Sequence, residues 1–248
     1  MGSSLVLLPT YNERENLPRV VPRLFALGAV DVLVIDDGSP DGTGELAEEL
    51  RSSFARLSVL HRGVKEGLGR AYVHGFKVAL SRGYSRIVTM DADLSHSPED
   101  VPKLLSALDG AHVAVGSRHL KGGGVERWPL SRRLLSRLGS FYARTLLQIP
   151  VSDVTSGFRA YRAEALRALP LESFHARGFV FQVEVLLRIL DLPGARAVEV
   201  PIFFRNRTKG SSKLSVRIVL EALGEVGALR FRKRPCPRGH FSQGIPSG

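Results

Sequence analysis

Asp91-Ala92-Asp93 follows a short apolar run, Ile87-Val88-Thr89-Met90. Two carboxylates one residue apart at the end of a strand can give one to a divalent ion and leave the other for substrate. A hard cation such as Mg²⁺ takes oxygen ligands and commonly binds through one or two carboxylates plus the phosphates of its substrate. Taken alone, an Asp-x-Asp pair describes a solvated surface turn equally well. Two upstream clusters change that reading. Pro9-Thr10-Tyr11-Asn12-Glu13 and Asp36-Asp37-Gly38-Ser39-Pro40-Asp41-Gly42 each follow an apolar run directly. Polar clusters at the C-terminal ends of parallel strands are where open α/β sheets bind ligands. Asp37 stands in line with Asp93 and Tyr11, where a carboxylate can accept hydrogen bonds from a base or a ribose hydroxyl. Asp41 and Gly42 read as turn chemistry, and His96 as a capping or polar-network residue rather than a catalytic one.

The elements that must position these residues alternate. Ser4–Leu8, Asp31–Asp36, Leu57–Leu60, Arg86–Met90 and Val113–Val115 read as strands, Pro9 ending the first. Asn12 with Glu15 resembles a capping box opening a helix to about Leu27. Further helices are expected over Thr43–Ser53 and Arg70–Ser81, and from Ser97-Pro98-Glu99-Asp100 onward. This order predicts an α/β fold, a mostly parallel sheet with helices on both faces in a single domain. The second half is less regular: helices over Ser131–Gln148, Val180–Leu190 and Leu214–Leu229, and a strand over Val198–Phe204. The expected boundaries are a catalytic domain over 1–230 and a basic, disordered tail over 231–248.

Composition narrows the classes. The chain has 248 residues, 44% of them hydrophobic, with a formal net charge of +11. Cys236 is the only cysteine, which rules out an internal disulfide or a cysteine-based zinc cluster and suits a reducing compartment. No apolar run approaches the roughly 20 residues that span a bilayer, and Leu5 to Leu8 is too short for a signal peptide. The expectation is a cytoplasmic protein. The positive charge either is simply solvated or meets an anionic partner: nucleotide phosphates, a phospholipid surface or nucleic acid. Neither a dinucleotide G-x-G-x-x-G after a strand nor a phosphate-loop G-x-x-x-x-G-K-[ST] occurs, which argues against hydride transfer and against a P-loop NTPase.

The three clusters, with Leu94-Ser95-His96 and Gly116-Ser117-Arg118, occur in the order seen in family 2 glycosyltransferases of the GT-A, Rossmann-like fold. Ser152-Asp153-Val154-Thr155-Ser156-Gly157-Phe158-Arg159, Gly178-Phe179-Val180-Phe181-Gln182-Val183-Glu184 and the stretch Arg207 to Lys213 resemble the dolichyl-phosphate (polyprenyl-phosphate) mannosyltransferase branch. The resemblance covers roughly residues 5–230. It implies a nucleotide-sugar pocket from Pro9, Tyr11, Glu13, Ile35 and Asp37, with Asp91 facing sugar or ribose and Ala92 lining the pocket by its backbone. It implies Asp93 as ligand to a Mg²⁺ or Mn²⁺ cofactor, with Ser95 a weaker ligand at a position that is often Gln. Arg207 and Lys213 would clamp the diphosphate, while Arg118, Arg132 and Ser136 would receive the lipid phosphate. The catalytic set is then Asp91, Asp93 and Arg118.

The implied activity is inverting transfer of mannose from GDP-mannose to a polyprenyl phosphate at the cytoplasmic face of a membrane. A phosphate acceptor is already anionic near neutral pH, so no strong general base is needed. Segment 118–137, with Arg118, His119, Lys121, Arg127, Trp128, Arg132, Arg133 and Arg137, reads as an acceptor loop meeting anionic headgroups, with Trp128 at the interface. The last helix either lies on the membrane or packs on the core. Attachment is expected to be peripheral, through a membrane surface or a small membrane subunit, with no nucleic-acid partner. The rivals are glucosyl or other sugar transfer from a UDP-sugar to the same lipid class, and a catalytically degenerate basic module that binds membranes or nucleic acid. A sugar-nucleotide pyrophosphorylase would need an N-terminal Gly-rich basic loop that is missing here.

Overall fold

Ser4–Thr10 (β1) is apolar on both sides, and that decides the layering. Leu5 and Leu7 enter one core cluster, Val6 and Leu8 a second one on the opposite face, as in a strand covered by helices above and below. The computed structural model describes residues 3–28, 30–126, 128–174, 176, 178–205 and 216–231.

After β1 come α1 (Leu17–Phe25), β2 (Asp31–Asp36), α2 (Thr43–Ser53), β3 (Leu57–His61), α3 (Leu68–Ser81) and β4 (Arg86–Thr89). The chain continues through α4 (Val101–Ala107), β5 (Val113–Ser117), β6 (Gly124–Val125), α5 (Leu130–Leu147), β7 (Arg159–Arg162), α6 (Ala163–Arg167) and α7 (Gly178–Leu190). It closes with β8 (Ala197–Pro201), β9 (Phe203–Phe204) and α8 (Val216–Phe231). Seven strands make one sheet in the order β3-β2-β1-β4-β7-β5-β8. All neighbours are parallel except β7, which runs antiparallel to both β4 and β5. Helices α1, α2 and α4 bury residues on one face, while α3, α5, α6, α7 and α8 bury theirs on the other. The expected mostly parallel α/β architecture is what forms.

Local departures have physical reasons. Pro9 does not end β1, because it pairs with Ile35 of β2 while the ladder to β4 has stopped at Leu7; the missing N–H is not needed there. The Asn12–Glu15 capping box does not form. Asn12 sits at φ 62°, and its N–H donates to Ser39 Oγ (3.1 Å) while the Glu13 N–H donates to Thr43 Oγ1 (2.9 Å). The segment is therefore tied to the turn after β2, and α1 starts at Leu17. A short 3-10 turn over Pro98–Asp100 precedes α4, and Ser97 Oγ bonds Glu99 instead of capping. The strand expected over Val198–Phe204 is broken into β8 and β9, and β9 pairs with β6 in a separate two-stranded ladder. The stretch from Arg232 onward, where the tail was expected, lies outside the described residues.

Strand β7 escaped the sequence reading because Arg-Ala-Tyr-Arg has no apolar alternation of its own. Arg159 is fully buried, yet its guanidinium donates to three carbonyls: Ser156 O (2.8 Å), Gln182 O (2.5 Å) and Val154 O (2.6 Å). Each charge-assisted bond of this kind is worth about 1.5–3 kcal/mol. Arg159→Met should leave three buried carbonyls unserved and cost at least about 3 kcal/mol, read as a lower urea midpoint with the m-value unchanged.

Candidate active site

The strand order places β3, β2, β1 and β4 side by side, so the turns at their C-terminal ends share one edge of the sheet. Asp37 lies just past β2 and is buried. Arg62, just past β3, donates from Nη1 to Asp37 Oδ1 (2.6 Å) and from Nη2 to Glu66 (2.5 Å). Burial outweighs this cation and holds the Asp37 carboxyl above the usual aspartate range. Asp36 points inward, accepting from Ser39 N (3.1 Å), Ser39 Oγ (2.5 Å) and Thr10 Oγ1 (3.3 Å). It shapes the turn and leaves the ligand edge to Asp37. Asp41 accepts from the Thr43 N–H, Thr43 Oγ1 and the Arg14 N–H, which is the expected turn chemistry. Tyr11 is half-exposed at the rim, with Lys65 Nζ 3.3 Å from its ring centroid. Glu13 is half-buried beside this turn. Ile35, expected in the pocket, is instead fully buried in the core under α3, and its main chain is taken up by the ladders to Pro9 and Leu60, so it is not brought to the edge.

The turn after β4 is a closed loop. Leu94 takes φ 63°, a left-handed conformation costing of order 1–3 kcal/mol for a non-glycine residue. Its side chain packs into the second core cluster, which offsets part of that cost. The Ser95 N–H donates to Asp93 Oδ1 (3.0 Å), and the Asp91 N–H donates to His96 Nδ1 (3.1 Å). Asp91 is partly exposed, while Asp93, Ala92 and Ser95 are buried beneath it. His96 stacks on Phe158 (centroids 4.8 Å) and meets Phe204 edge-on (5.3 Å). Its burial lowers the imidazole pKa, and with Nδ1 accepting, the ring is neutral and protonated on Nε2.

The donor set fits a hard cation. Asp93 offers carboxylate oxygen, and the buried Ser95 Oγ has no hydrogen-bond partner among the described residues. No three His, Cys, Asp or Glu side chains converge among those residues. A cation held here would therefore depend on substrate oxygens for the rest of its shell, as Mg²⁺ sites with few protein ligands do.

Across the sheet, beyond β5, lies a cationic half. Arg118 is pinned by Asp153, which accepts from Nε (2.7 Å), Nη2 (2.6 Å) and the Arg118 N–H (2.9 Å). Thr155 Oγ1 accepts a further bond from Nη2 (3.0 Å). Glu199 of β8 holds the preceding turn, accepting from Ser152 N (2.8 Å), Ser152 Oγ (2.6 Å) and Asp153 N (3.1 Å). Desolvation works against the Asp153 charge, but Arg118 prevails and keeps this carboxyl below the usual range. Two cavities open beside the pair. One, about 210 Å³, is lined by polar residues, Arg118, Arg132, Ser136 and Thr155, and by apolar ones, Leu135, Val183, Leu223 and Val226 among them. The other, about 650 Å³, is lined by Arg118, His119, Arg133, Ser136, Arg137 and Phe203, among others. Trp128 lines both, and Arg132 lies 3.9 Å over its ring. It is only 7% exposed, so the interfacial position expected for this tryptophan is corrected: two arginines and Phe204 enclose it.

The structure thus brings Pro9, Tyr11, Glu13, Asp37, Asp91, Ala92, Asp93 and Ser95 to one edge, and Arg118, Arg132 and Ser136 to the adjoining cavities. Arg207 and Lys213 lie outside the described residues. Sequence reading missed Arg62 and Lys65, and it gave Asp153 no role. The signal for Arg62 was there: a cation one residue past β3, whose His61 registers with Asp36, must fall level with Asp37.

Residues 5–169 match the family described as Glycosyl transferase family 2. The chain belongs to that family. It is 48% identical over 223 residues to "Undecaprenyl-phosphate mannosyltransferase" of Micrococcus luteus, covering 90% of this chain and 91% of that one. It is 47% identical over 234 residues to "Polyprenol monophosphomannose synthase" of Mycolicibacterium smegmatis, covering 93% and 88%. In fold it is similar to glucosyl-3-phosphoglycerate synthase from Mycobacterium tuberculosis, in complex with Mn²⁺, UDP and phosphoglyceric acid. That match has TM-score 0.66 and 20% identity, covering 92% of this chain and 77% of that one. It is also similar to mannosyltransferase PcManGT from Pyrobaculum calidifontis, in complex with GDP-Man and Mn²⁺, with TM-score 0.63 and 17% identity, covering 95% and 66%.

Breaking a buried ion pair from one side typically costs about 3–5 kcal/mol. Asp153→Ala should lose that much, because it strands the buried Arg118. Since the folded Asp153 titrates below its unfolded value of 3.8, its contribution is complete above that pH. It is lost as the pH falls through the folded pKa, so the mutant and wild-type stabilities should converge only in acid, measured by urea melts from pH 7 to pH 2.

Proposed function

We propose that the chain is an inverting mannosyltransferase that moves mannose from GDP-mannose to a polyprenyl phosphate, giving polyprenyl-phosphate mannose. The observation that carries this is the juxtaposition of an acidic strand edge with a largely apolar cavity lined in part by arginines. The named activities of its relatives at 47–48% identity support the same reading. In this reading residues 1–230 form the catalytic domain.

On the donor side, Asp37 accepts from the base, held in place by Arg62, and Tyr11 with Pro9 and Glu13 lines the pocket. Asp91 faces the sugar, and Ala92 lines the site with its backbone. Asp93, with Ser95, holds Mg²⁺ or Mn²⁺. When bound, that ion supplies charge compensation for the leaving diphosphate. Arg207 and Lys213 are assigned to the same diphosphate. On the acceptor side, Arg118, Arg132 and Ser136 hold the phosphomonoester, whose second pKa of about 6 leaves it nucleophilic at neutral pH. The protein's contribution is to hold two anionic groups in line across the sugar carbon, and charged hydrogen bonds do that. Asp153 fixes Arg118 in advance, so the guanidinium does not reorganise when phosphate arrives.

The lipid substrate requires a membrane surface. No helix among the described residues is long and apolar enough to cross a bilayer. Helix α5 supplies another kind of contact: Leu130, Leu134, Leu138 and Phe141 are 81%, 59%, 55% and 63% exposed and fall on one stripe at helical spacing. Arg133, Arg137 and Arg144 run alongside. An apolar stripe flanked by arginines suits a helix lying in an anionic interface, on the cytoplasmic face in this reading. Helix α8, an expected alternative, instead buries Val226 and Leu229 in the core, and Leu223 O accepts from the Tyr142 hydroxyl (3.3 Å).

Incubating the protein with polyprenyl phosphate and a panel of labelled GDP- and UDP-sugars, with Mg²⁺ or Mn²⁺, tests the assignment. Mannose from GDP-mannose should be transferred. Asp93→Asn should lose most of the rate while melting like the wild type, because an amide is a poorer ligand for a hard cation; turnover near the wild-type rate would remove Asp93 from the metal site.

For the membrane contact, the double variant Leu134→Glu/Phe141→Glu should stop floating with anionic vesicles while binding GDP as before. High salt should weaken flotation of the unsubstituted protein, since screening shortens the reach of the arginines to about 8 Å or less.

A further inference from the structure

The two halves of the site are joined by a continuous path of contacts, buried at Trp128 and His96. Arg132 lies 3.9 Å over Trp128, whose ring meets Phe204 edge-on at 5.4 Å. Phe204 in turn meets His96 edge-on at 5.3 Å, and His96 Nδ1 accepts the Asp91 N–H. A main-chain path runs beside the rings. Strand β9 pairs with β6 of the acceptor loop, Gly124 with Phe203 and Val125 with Phe204. The Glu126 N–H donates to Phe204 O (2.8 Å), and the Arg205 N–H donates to Ser95 O (3.0 Å). Residues 203–205 are therefore bonded to the acceptor loop on one side and to the aspartate turn on the other. A ladder of two residue pairs has little stability of its own, so its geometry follows whatever its neighbours adopt. Close-packed rings cannot move independently either.

We propose that His96 and Phe204 are positioning residues that couple the two halves: Phe204 transmits the ordering of the acceptor loop, and His96 fixes the Asp91 main chain, so that filling either half favours filling the other. The identity of the two ligands rests on the function proposed above; the coupling itself rests on the contacts. Coupling free energies of this kind usually correspond to about 5–150-fold in affinity and are reciprocal.

Calorimetry on the full chain reads this directly, with GDP plus Mn²⁺ as one ligand and farnesyl phosphate, a short isoprenoid phosphate, as the other. Each should tighten the other's binding by about fivefold or more, by the same factor in both directions. In Phe204→Leu that factor should fall towards one while each ligand still binds alone; Phe204→Met replaces it should the leucine variant melt early. His96→Phe keeps a ring but no acceptor for the Asp91 N–H, and it should weaken GDP–Mn²⁺ binding on the order of tenfold. His96→Asn, whose Oδ1 stands where Nδ1 was, should restore most of that loss. Undiminished coupling in the Phe204 variants, or equal losses in His96→Phe and His96→Asn, overturns the proposal. A wild-type protein that transfers mannose yet shows a coupling factor of one overturns this proposal alone. One that binds neither GDP nor farnesyl phosphate overturns the functional reading and this proposal with it.

Discussion

One antiparallel strand governs how this site is assembled. Because β7 runs against β4 and β5, its starting end lies at the edge where the parallel strands finish. The segment entering it must therefore cross the site. That crossing delivers Asp153 to Arg118, Phe158 to the His96 ring, and Gly157 to the side of Asp91, where an added Cβ would come within 4.0 Å of Asp91 Oδ1. Thr89 Oγ1 locks the crossing by donating to Gly157 O (2.8 Å). The fully buried Arg159 secures it from below, binding carbonyls of the segment itself and of α7. An all-parallel sheet would have no chain at that place to connect the acidic and basic halves.

The charges divide along the same line. Asp36, Asp37, Asp91 and Asp93 gather at the ends of β2 and β4, where four carboxylates at one edge would repel each other. Asp36 is absorbed by hydroxyl and amide donors of its own turn, Asp37 by Arg62, and Asp93 by the Ser95 N–H. On the opposite side the overall charge of +11 is carried in part by arginines that are placed before any ligand arrives. Arg118 is held at two of its nitrogens by one carboxylate, and Arg132 is laid on an indole face. Such placement lowers the reorganisation needed to receive a phosphate.

The features legible in the sequence were those that depend on neighbours in the chain. Runs such as Val32 to Ile35 specify a buried strand locally, and Asp-Gly-Ser-Pro-Asp-Gly can hardly be anything but a turn. The strand edge and its acidic clusters were therefore legible, and so was the parallel α/β class. Residues whose role depends on distant partners were not. Arg159 looks like an exposed cation until Gln182 O of α7 closes over it and the segment before β7 turns Val154 O and Ser156 O back onto it. Asn12 followed by Glu15 has the chemistry of a capping box, but Ser39, from the turn after β2, takes the Asn12 N–H that Glu15 would have capped, and Thr43 ties down the neighbouring Glu13 N–H. Trp128 among basic residues suggests an interface, yet Arg118, Arg132 and Phe204 close around it. The helix over Ser131–Gln148 was legible, but only the packed sheet tells which of its faces is left uncovered.

The position of His96 bears on the reaction itself. In a transferase acting on an alcohol, a histidine beside paired aspartates would be the natural base. Here its ring is buried between Phe158 and Phe204, its Nδ1 is occupied by the Asp91 N–H, and burial disfavours its charged form. A group so placed can orient the loop but is poorly placed to take up a proton from an acceptor. A phosphate acceptor relieves the site of that need, because its nucleophilic oxygen arrives ionised. The same anion that makes a base unnecessary also calls for cations and a fixed approach, and in the proposed reading the Arg118–Asp153 pair with Arg132 on Trp128 supplies both. On that reading, an immobilised histidine that accepts the Asp91 N–H on one side and pre-set arginines on the other are two consequences of one choice of acceptor.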